Sequence, residues 1–220
     1  AYMFKGGFGS IGVFQKDISN FFVATSQAGT PELLAQYGVI AEEGSDLEYT
    51  IVSRGNGGDA RVRGLEFTYR QNLLFLPRWA SGVQVFANYT RANLSGSNVA
   101  DFTGFNPETL SWGVNLNRKR FVLKFNATQQ AETKRGSVAV NALTPANTYD
   151  YQAALKSYVL AGEIRIHKHL SAYATWNNFN EQGQKSITRR YVAGSTPEEI
   201  RTFSIIDRGS LLVVGVKGSF

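Results

Sequence analysis

The stretch Leu211-Leu212-Val213-Val214-Gly215-Val216-Lys217-Gly218-Ser219-Phe220 decides how the chain is read. Counted back from Phe220, every second position is apolar or very small: Gly218, Val216, Val214, Leu212. The alternate row ends in Gly215, Lys217 and Ser219. A period of two means a strand whose faces differ, one greasy and one carrying a charge and small groups. Such a strand exposed at a sheet edge in water invites aggregation. In a closed membrane barrel it has lipid on one side, lumen on the other and a partner on each edge.

Working outward, the same period recurs along the chain. The cleanest case is Thr109 to Asn117, where Leu110, Trp112, Val114 and Leu116 face one way and Ser111, Gly113, Asn115 and Asn117 the other. After the basic turn Arg118-Lys119-Arg120, Phe121, Leu123, Phe125 and Ala127 alternate with Lys124, Asn126 and Thr128. Further strands are expected from about Phe8 to Val23, Leu47 to Leu73 and Gly82 to Leu94. Others are expected around Tyr158 to Ile166, Leu170 to Asn177 and Arg201 to Phe220. Gly55-Asn56-Gly57-Gly58 reads as a bulge or bend inside the second strand. Thr30 as N-cap, Pro31 in the first turn and Gly38 as the stop predict one short helix. Glu132 to Asp150 reads as a polar loop.

Composition agrees with an all-β chain. Hydrophobic residues make up 43%, aromatics 13%, and there are 22 glycines among 220 residues. No apolar run approaches the roughly 18–20 residues a spanning helix needs, and mean hydropathy is −0.21. The net charge of +6 is scattered rather than clustered, so no nucleic-acid partner is expected. Cysteine is absent, which excludes disulfides and thiolate metal sites. His167 and His169 lack nearby ligands for a metal and read as a turn; no catalytic residue, metal site or cofactor is expected. Glu42-Glu43 and Glu198-Glu199 read as solvated loop carboxylates.

The polar row is too wet for the inside of a sandwich, which would be filled with Val, Ile and Leu. Two arrangements remain open: a soluble sheet with its apolar face covered, or a membrane barrel with that face in lipid. Only one short helix is available as a cover, which favours the barrel. Connections alternate between short and long, as they do in outer-membrane barrels. The fold expected is an antiparallel meander of about eight long strands, part of a transmembrane β-barrel. Its lumen candidates are Glu66, Arg70, Lys124, Glu163, Arg165 and Lys217. Trp79, Trp112, Trp176, Tyr69, Tyr89 and Tyr173 are candidates for interfacial girdles.

Several stretches carry a family resemblance: Gly12-Val13-Phe14-Gln15-Lys16-Asp17-Ile18-Ser19-Asn20-Phe21-Phe22, Asn56-Gly57-Gly58-Asp59-Ala60-Arg61-Val62-Arg63-Gly64-Leu65-Glu66-Phe67, Phe86-Ala87-Asn88-Tyr89-Thr90-Arg91 with Pro107 before the next strand, and Gly215-Val216-Lys217-Gly218-Ser219-Phe220. In order and spacing they resemble the C-terminal part of the barrel of TonB-dependent outer-membrane receptors. The resemblance implies a fragment of an importer in the outer membrane of a Gram-negative-type bacterium. Residues 1–220 would then supply barrel wall and extracellular loops for uptake of a scarce ligand such as a siderophore, cobalamin or glycan. It also implies partners beyond the membrane lipid: a plug domain and the TonB system, through an N-terminal part not present here. Leu212, Val214, Val216 and Phe220 would belong to the barrel-closing strand, with Phe220 aiding assembly. No enzyme activity is expected. The alternative is a self-contained small outer-membrane barrel, an anchor or a hydrolase.

Overall fold

A computed structural model describes residues 1–40, 49–96, 102–138, 144–145, 147–180, 185–193, 195–196, 199–207 and 209–218. Ser219 and Phe220 therefore lie outside the described residues, as do Glu42, Glu43 and Glu198.

A nine-stranded antiparallel sheet dominates. It is formed by β1 (Tyr2–Phe4), β2 (Gly7–Ile18), β5 (Ala60–Asn72), β6 (Val83–Gly96), β7 (Glu108–Asn117), β8 (Phe121–Gln130), β11 (Leu155–His167), β12 (Leu170–Asn177) and β15 (Leu211–Gly218), in that spatial order. Because neighbours in space follow in sequence order, the sheet is a meander. Its two outer strands, β1 and β15, are not paired with each other, so the sheet is an open wall.

Most connections differ in length between the two ends of the wall, although 73–82 and 97–107 are nearly equal. At one end the chain turns through Lys5-Gly6, residues 73–82, 118–120 and Lys168-His169. At the other end it makes long excursions that build structure of their own. The first carries the hairpin β3 (Phe22–Ala28) and β4 (Thr50–Asn56), with the helix α1 (Pro31–Gln36) between them. Thr30 caps that helix, its Oγ1 accepting from the Leu33 N–H at 3.4 Å, and Leu34 anchors it by burial. Two further excursions contribute β9 (Thr133–Ser137) with β10 (Thr148–Gln152), and β13 (Lys185–Val192) with β14 (Arg201–Asp207). These four strands join into one sheet in the order β14-β13-β10-β9.

Several expected boundaries are corrected. The first long strand stops at Ile18, where Asn20 takes a positive φ of 55°. The glycine cluster at 55–58 is no bulge inside one strand: Gly55 and Asn56 end β4, and Gly57-Gly58, with Gly58 at φ 95°, separate it from β5. The stretch 132–150 is not all loop, and the last expected strand is two, β14 and β15. β3, β4 and β14 merge with their neighbours in the sequence because a period of two does not mark where the partner changes, whereas β9, β10 and β13 are too polar to read as strands.

The basic turn is not simply solvated. Arg118 reaches over to the neighbouring turn, its Nη1 donating to Ser81 Oγ at 2.7 Å and its Nη2 to the Arg78 carbonyl at 3.0 Å. That ties together the two hairpin turns that flank β6 and β7.

Candidate functional site

Pairing register fixes which residues share a face. Phe8, Ser10 and Gly12 on β2 oppose Arg70, Thr68 and Glu66 on β5. Those in turn oppose Phe86, Asn88 and Thr90 on β6. Continuing across the wall, the same face carries Ser111, Gly113 and Asn115, then Lys124, Asn126 and Thr128, then Ala161 and Glu163, Ser171 and Tyr173, Gly215 and Lys217. Glu66, Arg70, Lys124, Glu163, Arg165 and Lys217 thus share one face. Only some of them meet. Lys217 Nζ donates to Glu163 Oε2 at 2.6 Å, and both border an open depression with Lys124 and Tyr173. Arg165 is next to Glu163 in the same row, close enough for its charge to act on that carboxylate, and also borders Arg120 and His167 near the short-turn end.

Three aromatic rings on this face lie over glycines directly opposite them: Phe14 over Gly64, Phe86 over Gly113 and Tyr173 over Gly215. A Cβ at Gly215 would fall 2.6–2.9 Å from the Tyr173 ring and its hydroxyl. Tyr173 is therefore on the polar face, and the expectation that it joins an outward aromatic girdle is corrected. Glycine is needed here to let the ring lie down against the neighbouring backbone. Replacing Gly215 by Ala should destabilise the wall by about 1–3 kcal/mol, as overpacking does. Adding Tyr173→Ala should recover part of that loss in a double-mutant cycle of unfolding midpoints, whereas strict additivity would show that the ring is not what the new methyl meets.

The opposite face is apolar and uncovered. Ile11 and Val13 are 71% and 82% exposed, and Val214 and Val216 each 70%. The apolar window runs over Ile11–Val13 on β2, Leu65–Tyr69 on β5, Leu110–Leu116 on β7, Phe121–Ala127 on β8, Tyr158–Ile164 on β11 and Leu212–Val216 on β15. It does not run straight across the strands. Ile11 stands in line with Phe67, Tyr89, Leu110, Gln129 and Lys156. Leu212 stands instead in line with Trp176, Leu160, Phe125, Val114 and Val85. Between β2 and β15 the window slides by about six residues, or roughly 20 Å at ~3.3 Å per residue. Across the wall that is roughly 34 Å at ~4.8 Å per strand step, so the strands lean about 30° from the perpendicular to the apolar band.

The sheet built by the long excursions holds a second cluster. Tyr151 and Tyr191 stack with ring centroids 4.0 Å apart. Arg190 grips Asp150 through Nε at 2.7 Å and Nη2 at 3.0 Å, and its guanidinium lies 3.6 Å from the Phe203 ring centroid. Lys134 Nζ sits 3.4 Å from the centre of the Tyr149 ring. Glu132 takes a hydrogen bond from the Tyr191 hydroxyl and an ion pair from Arg189 at 3.2 Å. Burial first, and then the Glu132 carboxylate, hold the Tyr191 phenol well above its ordinary range, so it stays a donor. The Asp150 contact raises Arg190. Beside this cluster a depression is lined by Thr148, Arg190, Tyr191, Arg201 and Phe203.

None of these residues was foreseen as a site. The only local signal is the alternation of Thr148-Tyr149-Asp150-Tyr151-Gln152; Thr188-Arg189-Arg190-Tyr191-Val192 carries no such period. Among the described residues no group of three or more acidic, His or Cys side chains is placed to hold a metal.

Over the whole chain, the structure superposes on a point mutant of the ferric enterobactin receptor PfeA from Pseudomonas aeruginosa, with a TM-score of 0.63 at 17% identity. The fold is that of part of a receptor barrel. A second match, the unliganded ferric citrate transporter FecA, covers 94% of the chain with a TM-score of 0.52 at 13% identity. The chain spans only 30% and 36% of these structures, respectively. No protein-family model and no curated protein matches the sequence. The resemblance to TonB-dependent receptors read from the sequence therefore holds at the level of the fold, over the full length of the chain.

Proposed function

We propose that residues 1–220 form part of the wall and the extracellular loops of an outer-membrane import receptor. The observation that carries this is the slanted, uncovered apolar band. A band leaning about 30° across the strands is close to the roughly 35–45° by which strands tilt in membrane barrels, and it becomes level in a bilayer once the strands tilt. The short turns would then face the periplasm and the long excursions the outside. The polar face, with Glu66, Arg70, Lys124, Glu163, Arg165 and Lys217, is assigned to the lumen. Leu212, Val214, Val216 and Phe220 are assigned to a strand that pairs onward with the rest of a larger barrel.

Transport itself is part of this proposal, with a plug domain and a TonB-type energy source as partners. The ligand class is a siderophore, cobalamin or glycan, and the aromatic and cationic face around Tyr149, Tyr151, Tyr191, Arg189 and Lys134 is the surface it meets first. The open edges at β1 and β15 speak against the self-contained small barrel.

The absence of cysteine makes the test direct, because single cysteines can be labelled without background. Fluorophores at Val114, Leu123 and Val214 should be quenched by brominated lipid, and those at Asn115, Lys124 and Lys217 by an aqueous quencher. Equal aqueous quenching of both sets would overturn the membrane assignment.

A further inference from the structure

The apolar band has a charged upper rim on its own face. Directly beyond Leu65, toward the long excursions, comes Arg63; beyond Tyr89 comes Arg91; beyond Tyr158 comes Lys156. Arg63 and Arg91 lie on adjacent strands, since Arg63 opposes Asn93 and Arg91 opposes Leu65. That diagonal puts their Cβ atoms about 7–8 Å apart, close enough for like charges to repel.

Two carboxylates stand nearby, Asp17 close enough to feel the charge of Arg63 and Glu108 opposite Arg91, but neither forms an ion pair with the two arginines. Asp17 is taken by Arg61, which lies further out on the same face. Arg63 is held by a neutral amide, its Nε donating to Gln15 Oε1 at 2.8 Å, a bond that uses neither terminal nitrogen. Glu108 stands opposite Arg91, yet no ion pair joins them. Immediately below are the exposed side chains of Val13 and Leu65.

We infer that Arg63 and Arg91 bind the headgroup phosphate of a membrane lipid in the leaflet on the long-loop side, with its acyl chains against Ile11, Val13, Leu65 and Phe67. A phosphate offers several acceptor oxygens to two planar guanidinium groups and relieves their repulsion. The chain beneath covers apolar surface that water would otherwise wet. Basic residues at the edge of an apolar band attract anionic lipid by about 1 kcal/mol each. This rests on the reading of the outward face as lipid-facing.

The experiment uses the full chain in phosphatidylcholine nanodiscs doped with phosphatidic acid or with diacylglycerol, which lacks the phosphate. Native mass spectrometry then counts the lipid retained. Phosphatidic acid should be retained and diacylglycerol should not. The double variant Arg63→Ala/Arg91→Ala should bind phosphatidic acid roughly thirtyfold more weakly. Arg63→Lys/Arg91→Lys should keep part of the affinity, and Lys119→Ala, at the other end of the wall, should keep all of it. Excess inorganic phosphate should not displace the lipid. Equal binding by the double alanine variant, equal retention of diacylglycerol, or displacement by free phosphate each overturns the inference while leaving the membrane assignment standing. Assemblies of the chain with their edges paired that still fail to enter discs of either composition overturn the assignment and this inference with it.

Discussion

Arginine in place of Val114 should destabilise the folded wall in a bilayer by about 2–4 kcal/mol, the cost of a cation near the midplane on the lipid face of a barrel. Val114 lies in the interior of its strand's apolar window, level with Phe125, Leu160, Trp176 and Leu212. It is 38% exposed, so its side chain looks outward rather than into a protein core. The neighbouring change Asn115→Arg places the same charge on the polar face and should cost little. A denaturant titration in lipid vesicles distinguishes the two. No loss for the Val114 variant, or equal loss for both, would contradict the assignment of faces.

The second large effect concerns the edges. The outer edges of β1 and β15 pair with no other strand among the described residues, so each presents a row of unpaired N–H and C=O groups. In hydrocarbon every such group costs several kcal/mol. Bringing β1 and β15 together would close a barrel of about the size whose interior side chains just fill it. The polar face carries long charged residues such as Arg70 and Lys124, which want water instead. The 220-residue chain purified alone in detergent should therefore associate edge to edge, giving dimers and larger species in light scattering. A protease-resistant, heat-modifiable monomer would show that the wall closes on itself.

Much of this was legible in the sequence because the wall is governed by local alternation. Each of Glu66, Arg70, Lys124, Glu163, Arg165 and Lys217 was placed on the polar row, and the register puts them on one face. Thr30-Pro31 marked the helix correctly, since a cap is a matter of a few neighbouring residues. Tyr173 shares the polar row of Ser171, Thr175 and Asn177, so alternation alone places it there and its aromatic character misleads. What needs the structure is Gly215 opposite, some forty residues away, which gives the ring room to lie flat. The Tyr151–Tyr191 cluster was invisible for the same reason: its members come from different excursions, and their meeting depends on pairing between β10 and β13. The slant of the apolar band likewise exists only once registers are joined across the wall.

The sheet that welds two separate excursions has a thermodynamic consequence. Free loops must be ordered when something docks on them, at about 1–2 kcal/mol of backbone entropy per residue fixed. Here β9, β10, β13 and β14 are already hydrogen-bonded to one another. The Arg190–Asp150 fork and the tyrosine stack further hold their side chains in place. A molecule arriving at this rim meets a surface whose ordering was completed during folding, so more of its contact energy survives as affinity.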